Sequence, residues 1–294
     1  MSKLFVGIDG GGTSCSARIR DEQGNLIGEA KSGSAKILLG VEVAMASIVQ
    51  AITEAAAKGG LNSNDFARMH LGLALAGAEQ KSAWQAFMGL PHPFASIVLN
   101  TDAYGACIGA HNGDAGAIMI AGTGSCGIYL ENGQQHVVGG REFPISDQGG
   151  GAVMGLHLIQ QVLLAEDGIV AKTPLSQHVM NHFDNNIDNF VTWSKTAKPR
   201  DYGQFSPAIF EHAYQGDELG VKMLKQTASD VEMFLVALNK RGAERIALMG
   251  SIGERIVQWL SPPVQNWIVT PKHDAIEGGI MMAGKPEHNL FTLR

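Results

Sequence analysis

Charge is scarce in this chain, and none of it is gathered. Lys and Arg number 22 and Asp and Glu 28, a formal charge of −6, and charged residues make up 17% of the sequence. No cluster of Lys and Arg stands anywhere, which argues against nucleic acid or an anionic membrane surface as a partner. Cysteine is scarce too. Cys15, Cys107 and Cys126 are an odd number and none has C-x-x-C spacing, so buried thiols in a reducing compartment are expected rather than disulfides. No apolar run approaches the roughly 18 residues that cross a bilayer. The first strand opens within four residues of the start, which leaves no room for a signal peptide; a soluble cytoplasmic protein is the expectation. The Walker pattern G-x-x-x-x-G-K-[ST] is also missing, which removes a P-loop site.

Glycine, by contrast, is abundant at 37 residues in 294, and hydrophobic residues reach 45%. The length exceeds the usual single domain, so two domains are expected. The stretch Leu4-Phe5-Val6-Gly7-Ile8-Asp9-Gly10-Gly11-Gly12-Thr13-Ser14-Cys15 organises the rest. It begins apolar, meets an acid, then runs into three glycines and two hydroxyls, the pattern of a buried strand entering a tight turn. Glycines let another group approach the main chain closely. Successive N–H groups in such a turn form a concave anion site. An acid beside an anion site calls for a cation between them, so Asp9 is read as facing a metal and the glycines as facing phosphate.

The pattern then repeats. Strands over 4–9, 16–20 and 26–30 are followed by a helix over 41–58 that stops at Gly59-Gly60, a strand over 69–75, a short helix over 80–88, a strand over 95–99 and a small-residue helix over 103–110. The second half opens again with strand, glycine turn, strand, turn, strand at 117–121, 128–130 and 135–138. A glycine-bearing loop over 139–151, a helix over 153–165 and several helices between 173 and 239 follow. Strands over 245–249 and 264–269 and a helix over 275–283 close the chain. The two turns match in detail, Gly12-Thr13-Ser14-Cys15 against Gly122-Thr123-Gly124-Ser125-Cys126. Duplication of this kind predicts two similar α/β domains with their glycine turns facing across a cleft.

Several residues carry candidate chemistry, each with a plainer reading beside it. Gly122-Thr123-Gly124-Ser125-Cys126-Gly127 matches the dinucleotide fingerprint on paper, but a hairpin follows it instead of a helix, so the Rossmann reading fails. Two equivalent hairpins, each with a Thr and a Ser, point instead to phosphate. Asp102 follows a buried strand in Asn100-Thr101-Asp102-Ala103. It suits a helix N-cap; Thr101 can also cap, and a lone carboxylate at the carboxyl end of a strand can take a proton from a hydroxyl attacking phosphorus. Asp147 in Ser146-Asp147-Gln148-Gly149 fits either an N-cap or a contact to a sugar hydroxyl or metal-bound water. Gly250-Ser251 suits a flat ring lying on backbone, or an ordinary strand-to-helix turn. His178 and His182 share a helix face but lack an acidic third ligand, and read as a solvated face. Trp193, Trp259 and Trp267 read as packing.

At these residues the chain resembles the superfamily of sugar kinases, heat-shock ATPases and actin. Within it, it is similar to the N-acetylglucosamine kinase-like branch, which also holds the BadF/BadG/BcrA/BcrD ATPases. Val6-Gly7-Ile8-Asp9-Gly10-Gly11-Gly12-Thr13 fits the first phosphate motif, Asn100-Thr101-Asp102-Ala103 the connecting motif, Ile120-Ala121-Gly122-Thr123-Gly124-Ser125 the second phosphate motif, and Leu248-Met249-Gly250-Ser251 the adenosine motif. Gly139-Gly140-Arg141-Glu142-Phe143-Pro144-Ile145-Ser146-Asp147-Gln148-Gly149 and Ser194-Lys195-Thr196-Ala197 resemble the glucosamine kinases of chitin-using bacteria. Departures are Lys36 where relatives tend to carry Asn, Ala76 where some carry Ser, and Gly150 where Ser is frequent.

The resemblance implies two duplicated ribonuclease H-like (actin-like ATPase) α/β domains, each with a βββαβαβα core, around a central cleft. Residues 1–112 would form the first, with the last helix (274–284) packing back on it, and 113–294 the second, with a helical insertion at about 173–240. It implies an ATP-dependent amino-sugar kinase acting on the 6-hydroxyl of glucosamine, with N-acetylglucosamine as the alternative substrate. An ATPase of the BadF type and a non-catalytic sugar sensor are the readings from other classes. Asp102 would be the base. Gly10, Gly11, Gly12, Thr13, Gly122, Thr123, Gly124, Gly250 and Ser251 would hold ATP, and Asp9 would orient Mg²⁺. Lys36, Ser125, Gly140 and Asp147, with Asp102, would meet the sugar. A homodimer is implied by analogy with relatives.

Overall fold

The computed structural model describes residues 2–131 and 134–291. Its elements in chain order are β1 (Leu4–Gly10), β2 (Cys15–Asp21), β3 (Leu26–Ser32), α1 (Val41–Lys58), β4 (Met69–Leu75), α2 (Lys81–Met88), β5 (Ser96–Asn100) and α3 (Asp102–Ala110), then β6 (Gly116–Ala121), β7 (Ser125–Glu131), β8 (Gln134–Gly139) and α4 (Gly151–Glu166). Next come α5 (Pro174–His182), α6 (Ile187–Ser194), α7 (Pro199–Gly203), α8 (Ser206–Tyr214) and α9 (Glu218–Asn239), and finally β9 (Ile246–Met249), α10 (Gly250–Ile256), α11 (Pro262–Gln265), β10 (Ile268–Val269) and α12 (Ala275–Met282). The described residues divide into two compact units, one from 1–116, 130–135 and 270–294, the other from 117–129 and 136–269.

In the first unit the sheet order is β3-β2-β1-β4-β5, antiparallel through β3-β2-β1 and parallel through β1-β4-β5. β1 and β4 are covered by helices on both faces: Val6, Ile8, Leu71 and Leu73 are fully buried on one, and the small Gly7, Gly72 and Ala74 are buried on the other. α1 lies against β3 and β2, turning Ala44, Ile48, Ile52 and Ala55 inward at helical spacing. On the opposite face α12 packs against α3, β1 and β4. This approach is backbone on backbone. A Cβ on Gly72 would stand 1.9 Å from the Gly279 carbonyl oxygen, and one on Gly278 1.9 Å from that of Gly105. The docking is tied by charge as well. The Arg18 guanidinium donates to Asp274 at 2.8 and 2.9 Å and to Glu277 at 3.0 Å, and also pairs with Glu29; Arg20 joins at Glu277.

The second unit repeats the plan. Its sheet order, β8-β7-β6-β9-β10, is that of the first unit strand for strand, with parallel pairing of β6 to β9 and β9 to β10. Between α4 and β9 stands the helical insertion. α9 carries a stripe of buried residues, among them Leu224, Val231, Leu235 and Leu238, into the core. An aromatic cluster of Phe183, Phe190, Trp193, Tyr202 and Phe205 holds α5, α6 and α7 together, with ring centroids as close as 4.5 Å. One local expectation fails. The strand over 264–269 is only two residues long, and residues 262–265 form α11. Pro262 and Pro263 supply the fixed φ that starts a helix and lack the N–H groups a strand needs.

Candidate active site

In the first unit the site gathers at the carboxyl ends of β1, β4 and β5, where parallel strands present their loops. β1 ends in Asp9 and Gly10, and the turn is closed by Gly11 N–H donating to Ser14 O at 2.9 Å. Gly12 and Thr13 are exposed at its tip. Gly10 can only be glycine, since a Cβ there would lie 2.5 Å from Leu75 Cδ2 and 2.8 Å from Ala35 Cβ. The loop after β3 is lashed to this turn: Ala35 N–H and the Ser34 hydroxyl both donate to Gly11 O at 3.1 Å. The turn after β4 joins them, with Ala76 N–H donating to Gly10 O at 2.9 Å and Ile37 N–H to Ala76 O at 3.2 Å. Ala76, where some relatives carry Ser, thus serves these loops through its backbone.

Asn100-Thr101-Asp102 divides its labour. Asn100 is buried, with its amide donating to His288 O and its carbonyl accepting Thr101 N–H, both at 2.8 Å. Thr101 is the N-cap of α3, accepting Tyr104 N–H at 3.1 Å. Asp102 is therefore released from capping α3, and its carboxylate accepts Ala103 N–H at 2.8 Å as well as its own backbone N–H. Burial, chiefly, raises its pKa above the ordinary carboxylate value; the Glu79 charge adds to the rise, while the Ala103 N–H and the Lys36 charge oppose it. Its side chain still reaches solvent, as an acceptor of a substrate proton must. Asp9 is likewise held up, first by burial and then by the charges of Asp102 and Asp274, with Lys31 opposing. An acid raised by neighbouring acids sits in a negative potential that a cation relieves. Among the described residues no three His, Cys, Asp or Glu side chains stand close enough to hold a metal alone. That fits a magnesium ion taking one protein carboxylate together with phosphate oxygens and water.

The second unit carries the matching hairpin. Gly122 N–H donates to Gly124 O at 2.9 Å, and the hairpin carbonyls accept the first amides of α4: Gly151 N–H to Gly122 O at 2.7 Å and Ala152 N–H to Thr123 O at 2.9 Å. The positive end of the α4 dipole is thereby joined to the turn. Thr123 is exposed, whereas Ser125 is only 4% exposed and gives its hydroxyl to Gln148 O at 2.6 Å. Asp147 does not cap α4; Gly150 holds that position. Asp147 instead sits at φ 71°, a conformation Asp tolerates better than most residues. Burial raises its pKa, against the N–H groups of Ser125 and Phe143 that its carboxylate accepts. A Cβ on Gly124 would lie 2.6 Å from Asp147 Oδ2, so the glycine makes room for the acid. Gly140 donates its N–H to Ser125 O at 3.0 Å, which fastens the 139–151 loop to the hairpin at a second point.

A cavity of about 150 Å³ opens beside this hairpin, lined by Gly122, Thr123, Gly151 and Ser251 together with Gly203, Ser206 and Arg255. Gly250 turns with φ 88° and packs against the Ala121 carbonyl, 2.6 Å from where its Cβ would be, which aims Ser251 into the cavity. Arg255 stands over the Phe210 ring at 4.0 Å. Exposed glycine backbone, a hydroxyl and a cation suit a nucleotide. Sequence reasoning missed Gly203 and Ser206 because they come from the helical insertion, with no motif marking them, and missed Arg255 although it stands one turn after Ser251 on the same face of α10, the signal that was available. It also missed Glu79, an exposed acid on a turn; its place just after a parallel strand was the available signal. Of the remaining candidates, His178 and His182 are exposed, with His182 edge-on to Phe183 and Phe205.

Two α/β units of identical strand order, each with a glycine hairpin heading its sheet, define a two-domain protein of the actin-like ATPase and sugar-kinase class. The chain belongs to the BadF/BadG/BcrA/BcrD ATPase family, whose pattern it matches over residues 6–283. It is 72% identical over 287 residues to glucosamine kinase GspK of Vibrio cholerae serotype O1, covering 98% of each chain. A crystal structure from Chromobacterium violaceum, assigned as an N-acetylglucosamine kinase, superposes with a TM-score of 0.86 at 26% identity, over 95% of this chain and 98% of that one. A ROK family glucokinase from Streptomyces griseus, solved with glucose and AMPPNP, shares the fold at 16% identity and a TM-score of 0.51, over 95% and 99% of the two chains.

Proposed function

We propose that this protein is an ATP-dependent amino-sugar kinase that phosphorylates the 6-hydroxyl of glucosamine to give glucosamine 6-phosphate. The observation that carries the reading is the 72% identity, over nearly the whole of both chains, to a glucosamine kinase. The carboxylate of Asp102, the two glycine hairpins and the turn at Gly250-Ser251 support it.

In this reading Asp102 accepts the proton of the 6-hydroxyl as that oxygen bonds to the γ-phosphorus and the bond from phosphorus to the β–γ bridging oxygen breaks. Its raised proton affinity and its freedom from the capping role, which Thr101 fills, suit a base. Gly10, Gly11, Gly12 and Thr13 cradle phosphate in the first unit, and Gly122, Thr123 and Gly124 do so in the second. Gly250 and Ser251 carry the adenosine. Asp9 is the residue that would hold Mg²⁺. When bound, the ion neutralises charge on the phosphates and aligns them. Gly140 and Asp147 form the sugar side of the second unit, held against the hairpin by Ser125. Catalysis of this kind is positioning and charge neutralisation more than covalent chemistry. The first unit, over 1–112 with the returning C-terminal helix, carries the base and metal acid; the second, with its insertion, binds nucleotide. We further read the enzyme as a cytoplasmic homodimer serving sugar released from chitin. Among the described residues no helix is long and apolar enough to cross a membrane.

N-acetylglucosamine is the second reading, favoured by the Chromobacterium structure. The BadF-type alternative, with cysteines on an iron–sulfur cluster, is poorly supported: Cys15, Cys107 and Cys126 lack the spacing of cluster ligands, and Cys15 and Cys107 are buried. ADP release measured with glucosamine, N-acetylglucosamine, N-acetylmannosamine and glucose decides among these. The expected result is a kcat/KM for glucosamine at least about 100-fold above the others, a margin one well-met polar group can supply. Preference for N-acetylglucosamine would install the second reading, and no turnover on any sugar would overturn both.

A further inference from the structure

The resemblance placed Lys36 in the sugar pocket. Its surroundings suggest a different task. The backbone around it is fixed from both sides: Ser34 and Ala35 are bonded to Gly11 O, and Ile37 to Ala76 O. The side chain runs along the phosphate turn, so that a Cβ on Gly12 would lie 4.0 Å from Lys36 Cδ. It is half-buried, and its ammonium makes no hydrogen bond or ion pair among the described residues. A half-buried lysine commonly buries its stem and keeps its ammonium available, and Glu79 and Asp102, whose charges meet in this corner, do not pair with it. A cation placed by a glycine phosphate turn and a lone carboxylate, and committed to neither, is a cation awaiting an anion.

We propose that Lys36 is a catalytic residue of phosphoryl transfer, its ammonium donating to the oxygens of the transferring γ-phosphoryl. The inference rests on the kinase reading, which puts phosphate at Gly12 and the attacking hydroxyl at Asp102. That reading puts the phosphorus between those two points, and Lys36 stands by both: its Cδ would be 4.0 Å from a Cβ on Gly12, and its charge acts on Asp102. Charge sign points the same way. Glucosamine carries an ammonium at carbon 2, which a lysine repels, whereas the phosphoryl group is anionic before and during transfer.

The test uses the full-length protein, Lys36→Met and Lys36→Arg. Each is titrated calorimetrically with Mg-ADP and with the β,γ-imido analogue of Mg-ATP, in the absence of sugar. The wild type should bind the analogue more tightly than ADP. Lys36→Met should lose roughly 10-fold or more in analogue affinity, the worth of a charge-assisted hydrogen bond, and keep its ADP affinity within about twofold. In turnover its kcat should fall on the order of 100-fold with the glucosamine KM within about threefold, and Lys36→Arg should recover most of both losses. Equal loss of ADP and analogue, a wild type that binds the two alike, or a glucosamine KM that rises while kcat and analogue affinity hold would each overturn the proposal. Because the titration contains no sugar, failure of the amino-sugar assignment would show only in turnover and leave the Lys36 result readable.

Discussion

Ser125→Ala separates two roles for a residue inside the second phosphate hairpin. The sequence pattern assigns Ser125 to the sugar, but its hydroxyl is 2.6 Å from Gln148 O and the residue is 4% exposed. Alanine removes the donor and strands a buried carbonyl, which costs about 1–3 kcal/mol. In a unit of this size each kcal/mol lowers the melting temperature by about 2–4 °C, so a fall of roughly 2–12 °C is expected. The backbone N–H that Asp147 accepts is untouched by the substitution, so Asp147 keeps its place. The KM for glucosamine at 25 °C should then move less than about threefold, since no bond to sugar is lost. Thermal denaturation of the purified variant and steady-state ADP release measure the two quantities. A KM raised more than about 30-fold with an unchanged melting temperature would refute the reasoning and return the hydroxyl to the sugar.

Two further outcomes follow. Asp102 is a base only when ionised, and burial and Glu79 hold its pKa above 3.8, so kcat/KM should fall on acidification earlier than for an ordinary carboxylate. Asp9, Lys36 and Glu79 are the charges facing it; Glu79→Gln should move the acid limb of the profile to lower pH, and an unmoved limb would remove Glu79 from the site's electrostatics. Gly72→Ala would place a Cβ 1.9 Å from Gly279 O, forcing α12 off the sheet, and should cost about 1–3 kcal/mol or more in urea denaturation. A midpoint equal to wild type would mean the helix docks less tightly than these contacts require.

Much of this was legible in the sequence for physical reasons. Two hairpins of matching glycine and hydroxyl pattern reveal a duplication because each must solve the same backbone problem, and the sheets share one strand order. Asn100-Thr101-Asp102 was legible because Thr101 can cap α3 and so leave the acid free. Gly203 and Ser206 were not legible, because long-range helix packing, including the aromatic cluster at Trp193 and Tyr202, brings them to the cavity and leaves no local signature. Ser125 was misleading for a related reason: a serine in a phosphate hairpin is the same residue whether it faces a ligand or the Gln148 carbonyl. The return of α12 rests on glycine-to-glycine contact between segments some 200 residues apart, Gly72 with Gly279, which no periodicity displays.

The central claim is that Asp102 takes the proton during transfer to glucosamine. Its most direct test is the turnover of Asp102→Asn with saturating ATP and glucosamine, read by ADP release. Asparagine keeps an acceptor for Ala103 N–H but cannot take the proton, so kcat should fall by about 10²- to 10⁴-fold while affinity for the imido analogue of ATP stays within about twofold. Turnover retained within about tenfold of wild type would contradict the account and remove Asp102 from the chemistry.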